Sequence, residues 1–256
     1  MKFRKLAFWG ALCFTGMLYF AGGSAGGNQA FAAERDRSCS DYRIYYAVID
    51  VGHAAREYGA TAWNGGHEYD YNLRFAKELA ARLEEEQIPY IFSGFHSGKN
   101  TLDDRITRTG PQAIFISIHH DAVQPRYCTL NDNPCESDYA AGYSLFVSSE
   151  NPYYQESLGL AREIAAGLRD AGLKNSSHHA ENIPGEGREW LDKNGVFRYD
   201  GLMVLRKAQG PAVLMEVGVI VNPRDEAFVS AKKNRRRYIE AVVTALKRHI
   251  RLERRN

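Results

Sequence analysis

Short apolar runs alternate along this chain with longer stretches spaced like one face of a helix. The run RIYYAVID (43–50) is β-branched and aromatic and stops at Gly52, so it reads as a buried strand. From Glu68 onward, Leu73, Phe75, Ala76, Leu79, Ala80 and Leu83 recur at helical spacing, which predicts a helix reaching Gln87. IPYIF (88–92) predicts a second strand, and a short helix over 101–109 leads into a third, AIFISI (113–118). Residues 124–141, which carry Pro, Asn and two Cys, read as an inserted surface loop. GYSLFVS (142–148) predicts another strand, followed by an amphipathic helix over 154–172 that ends on Gly172. Residues 174–201 read as a long loop, a feature that is more often functional than decorative in a compact domain. LMVLR (202–206) and PAVLMEVG (211–218) predict the last two strands. Asn222 as cap, Pro223 at the first helical position, and Asp225 and Glu226 near the positive end predict a final helix to Arg251.

Strands alternating with helices predict an α/β sandwich with a largely parallel sheet, whose ligands bind at the carboxyl edge of the strands. Ionisable residues gather at that edge. The first strand ends in Asp50 and His53, the third in His119, His120 and Asp121, and the last in Glu216, while Glu68 opens the first long helix. Two imidazoles and one carboxylate match the ligand set of a catalytic zinc that keeps one position for water. A further carboxylate is then needed to carry protons, and Glu216 fits that role. Asp50 is a candidate to orient a metal-binding histidine. Taken singly, His53 also reads as a hydrogen-bonded loop histidine and Glu68 as a charge complementing the helix dipole. Glu216 follows AVLM, so it is nearly buried and needs a partner. Neighbouring strand residues point to opposite sides, and spacing alone does not choose between His119 and His120.

The amino terminus changes the charge reading. Lys2, Arg4 and Lys5 precede an uncharged apolar run, and Ala30-Phe31-Ala32 offers a cleavage pattern, so residues 1–32 read as a signal peptide and 33–41 as a linker. An uncleaved membrane anchor is the alternative. The chain has 33 basic and 31 acidic residues, three of the basic ones in the leader, so the processed chain is nearly neutral and gives no support to nucleic-acid binding. Secretion or a periplasmic location follows, with no stable membrane insertion after cleavage. Cys13 leaves with the leader. Cys128 and Cys135 bracket the turn-rich TLNDNP and are placed to close a short disulfide loop, leaving Cys39 over; three unpaired thiols are the alternative.

The segments DVGH, HEYDYNLRFAKELAARL, LDDRITRTGPQAIFISIHHDA and PAVLMEVGVIVN occur in the order found in zinc-dependent N-acetylmuramoyl-L-alanine amidases, which the chain resembles over residues 44–250. The resemblance implies a single catalytic domain over 42–256, a three-layer sandwich whose mostly parallel, twisted sheet is flanked by helices. It implies Zn²⁺ held by His53, Glu68 and His119, Glu216 as the catalytic glutamate, and cleavage of the amide between muramic acid's lactyl group and L-alanine in peptidoglycan. Departures are local. Val51, Ala54 and Ala55 stand where the family has Pro, Gly and Gly, His120 and Asp121 where it has Ala and Asn, and Val219 where Phe is common. All candidate ligands survive them, and substrate preference is what they put in question.

Other features weigh less. His178 and His179 read as a solvated loop pair, with reach to substrate or metal as the alternative, and His67 as helix-entry packing, with a hydrogen bond to substrate as the alternative; Arg105 reads as an ion-pair anchor that also matches a family position, and His96 has no partner to name. The basic segment from Lys232 to the end reads as a solvated helix face, with attraction to anionic wall polymers or lipid headgroups as the alternative. An activator or regulatory protein acting through the loops 124–141 or 174–201 belongs to the same reading. Two other readings stay open: a zinc carboxypeptidase acting on wall stem peptides, and a wall-binding regulator without catalysis.

Overall fold

The computed structural model describes residues 45–93, 101–129, 134–181 and 188–253. The leader, the linker, Cys13, Cys39 and His96 lie outside the described residues. Among those described, no helix is long and apolar enough to cross a membrane.

The predicted strand runs form β1 (Tyr46–Val51), β2 (Tyr90–Phe92), β3 (Ala113–Asp121), β4 (Ser144–Val147) and β7 (Ala212–Val219), with β5 (Glu189–Asp192) and β6 (Val196–Arg198) between them. They make one seven-stranded sheet in the order β2-β1-β3-β7-β4-β6-β5. β2, β1, β3 and β7 run parallel. β4 turns antiparallel to β7, β6 follows β4 in parallel, and β5 pairs antiparallel with β6. Helices α1 (Glu68–Glu85), α3 (Tyr154–Asp170) and α6 (Lys232–Glu253) cover one face, where Phe75, Leu79, Ile164, Leu168, Val242 and Leu246 close over alternate strand residues such as Ile49, Ile116 and Val213. The other strand residues, among them Val48, Phe115 and Leu214, pack under α4 (Met203–Lys207), with Ile106 of α2 (Leu102–Ile106) against the same cluster. The α/β sandwich and its largely parallel sheet are therefore present, and since β1, β3 and β7 are parallel neighbours, their carboxyl ends open on one edge.

Local chemistry explains the element boundaries. Thr101 and Asp104 exchange the two hydrogen bonds of a capping box that starts α2. The Asn222 side chain caps Arg224 and Asp225 at the start of α5 (Pro223–Ser230), with Pro223 at its first position. The final helix divides here, because Ala231 adopts ψ 119° and α6 begins afresh at Lys232. Several cations of α6 reach across rather than into solvent: Arg235 pairs with Glu78 and Lys247 with Glu86, while Glu240 of α6 receives Arg82. The expected strand 202–206 is instead the short helix α4, which puts Val204 and Leu205 into the smaller core. The expected loop 174–201 contains the β5–β6 hairpin, turned at Gly195 with φ 86°.

Gly210 precedes β7 where the backbone crowds. A Cβ there would stand 2.2 Å from the Ala113 carbonyl oxygen and 2.4 Å from that of Gly110. Both obstacles are main chain, so Gly210→Ala is expected to cost about 1–3 kcal/mol through forced backbone shifts. Chemical denaturation reads this directly, and an unchanged midpoint would mean the crossing yields freely.

Candidate metal centre

Glu68 is the first residue of α1, yet it does not act as a solvated dipole partner. Its carboxylate is buried and accepts from the Ala60 amide at 3.0 Å, the Asn72 side-chain amide at 3.2 Å and the His120 amide at 3.3 Å. It also lies 3.0 Å from His53 Nε2 and 3.1 Å from His119 Nδ1. The two imidazole rings meet edge to face at 5.0 Å. One donor atom from each of His53, Glu68 and His119 falls within 4.8 Å of the others, so the three side chains can share one cation.

The backbone around them is shaped for that convergence. His53 sits at φ 65°, a left-handed conformation that few residues other than glycine adopt and that is associated with functional sites. A Cβ on Gly59 would approach Glu68 Oε2 to 2.3 Å and the His53 ring to 2.5 Å. One on Gly52 would stand 2.6 Å from the His119 ring. Only glycine at these positions leaves the ligands room to close.

Electrostatics separates the carboxylates. Burial by itself would raise the Glu68 carboxyl, but hydrogen bonds and charge from His119 and His53 outweigh it and hold the group well below the ordinary glutamate range. Glu216 goes the other way. Burial first, then the nearby charges of Asp121 and Glu68, push it well above the ordinary value, with Arg188 opposing. Glu216 lies beside His119 across the β3–β7 ladder, and among the described residues its Oε2 is buried without a hydrogen-bond partner. A proton-binding carboxylate therefore adjoins a cluster of metal-ligand chemistry, while the carboxylate inside the cluster stays ionised.

Among the described residues, Asp50 does not contact a histidine ring. Ser93 and Ser117 donate to it at 2.5 and 2.6 Å, and Arg105 stands 3.5 Å away. Arg105 in turn donates to the carbonyls of Val51 and His53, so the pair steadies the His53 loop through its main chain. His67 stacks on Tyr58 at the entry to α1, with ring centroids 3.8 Å apart.

The structure distinguishes the paired histidines. His119 meets Glu68, whereas the His120 ring lies buried 2.7 Å from Asn72 Oδ1, one turn further along α1. Burial lowers His120 to about 3, so it is neutral over the working range. Accordingly, His119→Ala is expected to lose the zinc held with His53 and Glu68. His120→Ala should keep the metal but lose about 1–3 kcal/mol of stability, the usual cost of stranding a buried polar partner. Metal analysis beside thermal melts checks both, and zinc lost only with the His120 change would reverse the assignment.

His178 and His179 are not solvated. They lie on a short 3₁₀ turn (His178–Ala180) and close on Asp121, with Nε2 atoms 3.2 and 2.6 Å from Asp121 Oδ2. Nothing in the sequence marked this, because Asp121 lies 58 residues from His179. Cys128 and Cys135 are joined by a disulfide. Next to it, Arg126, Tyr127 and Tyr139 all converge on Glu181, linking the inserted loop to the histidine turn.

Residues 47–248 match the family described as N-acetylmuramoyl-L-alanine amidase. A probable cell wall amidase LytH of Staphylococcus saprophyticus is 27% identical over 222 residues, 86% of this chain and 63% of that protein. The chain thus spans under two thirds of the length of the curated relative it matches. Among solved structures, an N-acetylmuramoyl-L-alanine amidase from Clostridium difficile superposes with a TM-score of 0.63 at 20% identity, covering 82% of this chain and 98% of its own. The CwlD amidase of Clostridioides difficile, in complex with the GerS lipoprotein, gives 0.57 at 18% identity, covering 81% and 99%. These likenesses establish the fold.

Proposed function

The chain belongs to the N-acetylmuramoyl-L-alanine amidase family, and from that premise we propose that it hydrolyses the amide between the lactyl group of N-acetylmuramic acid and the first L-alanine of the peptidoglycan stem, outside the cytoplasmic membrane. His53, Glu68 and His119 hold the metal; two imidazole nitrogens and a carboxylate oxygen suit zinc. Zinc, when bound, supplies Lewis-acid chemistry, polarising a carbonyl and making a water easier to deprotonate. Glu216 is the proton carrier. Its Oε2 takes a proton from the attacking water and returns it to the L-alanine nitrogen as the C–N bond breaks, leaving a lactyl carboxylate and a free amine. Asp50 and Arg105 keep the His53 loop in its left-handed turn, and Asn72 orients Glu68 through its amide.

The observation that carries this reading is Glu216: a buried carboxylate with an unpartnered oxygen is costly to a fold that does not use it. Digestion of purified cell wall, with the products identified by mass, tests it. Intact stem peptides bearing a new L-alanine amine are expected, with release stopped by a chelator and restored by zinc. Fragments cut within the stem would point to a peptidase, and no release from any wall preparation would sink the hydrolytic reading.

A further inference from the structure

We propose that Asp121, His178 and His179 form a second site for a divalent cation of the zinc class. The donor set is the same as in the first cluster, two imidazoles and one carboxylate, and one atom from each again falls within 4.8 Å of the others. The likeness extends to the contacts. One carboxylate meets two ring nitrogens in both places, at 3.0 and 3.1 Å around Glu68 and at 3.2 and 2.6 Å around Asp121. Nitrogen and carboxylate donors of this kind suit zinc and its neighbours in the first transition row.

His178 supplies an independent reason. Its Nδ1 is 2.7 Å from Ser176 Oγ, while its Nε2 is buried and, among the described residues, makes no hydrogen bond despite lying 3.2 Å from Asp121 Oδ2. If Nδ1 donates to the serine, a lone pair faces an anion; if the serine donates, the Nε2 proton is misdirected. Either way a buried polar atom is left to a partner that is not a proton, and a cation between nitrogen and oxygen satisfies both. His179 is held more fully. Arg188 Nη1 lies 2.6 Å from its Nδ1, and a guanidinium only donates, so the His179 proton sits on Nε2 and goes to Asp121. A cation bound at Nε2 would shift that proton to Nδ1 and so turn Arg188 aside.

Access and placement fit a cation that keeps open positions. A cavity of about 220 Å³ is lined by all three residues together with Tyr127, Glu181 and Arg188. Asp121 lies two residues beyond His119 on β3, after a register shift, and Glu216 feels the charge of both Asp121 and Glu68. The second site therefore borders the proposed proton carrier.

Metal counting tests this without relying on hydrolysis. The metal-free chain is loaded with Zn²⁺, passed through metal-free buffer, and its bound equivalents are measured by elemental analysis. Two equivalents are expected in the wild type and one in each of His119→Ala, His178→Ala and Asp121→Asn. His178→Gln is the fallback if Asp121→Asn fails to fold. None is expected in His119→Ala combined with His178→Ala. A single wild-type equivalent, lost with His119→Ala and untouched by His178→Ala, overturns the second site and leaves the first intact. Two equivalents that survive His119→Ala, with one lost through His178→Ala, would discount the first site instead. Two equivalents retained by both His178→Ala and Asp121→Asn overturn the second.

Discussion

Replacing Glu216 by Gln is expected to cut amidase turnover by about 10²- to 10⁴-fold, the usual contribution of a positioned acid–base group, while zinc binding and fold persist. Glutamine keeps the shape and cannot carry the proton. The same change should make the metal-free protein more stable at neutral pH. Folding raises the Glu216 carboxyl above its ordinary value of 4.5, chiefly by burial. A group whose affinity for protons rises on folding contributes its stability in full below its unfolded value and loses it as pH climbs through the folded one. Ionised Glu216 therefore opposes folding at high pH, and Gln removes that opposition. Thermal melts of both metal-free forms should diverge as pH rises, with the variant on top. Turnover within a few-fold of wild type would remove Glu216 from the mechanism, and melts that coincide at every pH would contradict its buried ionisation.

Glu68→Ala is expected to act on stability and function together. The carboxylate accepts from the Ala60 and His120 amides and the Asn72 side chain besides meeting two imidazoles. Truncation leaves these donors buried and unanswered, a loss of about 3–5 kcal/mol by analogy with breaking a buried charged pair. The zinc held with His53 and His119 should be lost as well. Glu68 stays ionised because its histidine partners outweigh burial, so its contribution is present above its ordinary value of 4.5 and disappears as pH falls below it. Wild-type protein should lose stability through that acid range and Glu68→Ala should not share the loss. Calorimetry across acid pH compares them, and parallel curves would show that Glu68 is not the group responsible.

The parts of the site legible in the sequence were those written into strand ends. DVGH, IHHDA and MEVG each place polar groups just past a run of apolar residues, and parallel strands deliver such groups to one edge whatever the rest of the chain does. LMVLR was ambiguous, because five residues with a short apolar run fit a strand or a turn of helix, and only packing against the smaller core decides. The β5–β6 hairpin did have a local signal in Asn194-Gly195 between Trp190-Leu191 and Val196-Phe197, which the surrounding charges obscured. The break at Ala231 has neither proline nor glycine to announce it. His178 and His179 were illegible for a different reason: their burial depends on Asp121, and no periodicity reports a partner so distant in the chain.

β7 has hydrogen-bonded neighbours on both sides, β3 in parallel and β4 antiparallel, and Glu216 rides on it. His53 by contrast hangs on a left-handed loop steadied by Arg105. The proton carrier thus rides a strand paired on both sides, where opening is expected late, and one metal ligand sits on a loop, where local opening is expected earlier. Ion exchange can then proceed by a brief excursion of that loop, with the catalytic scaffold never disassembled.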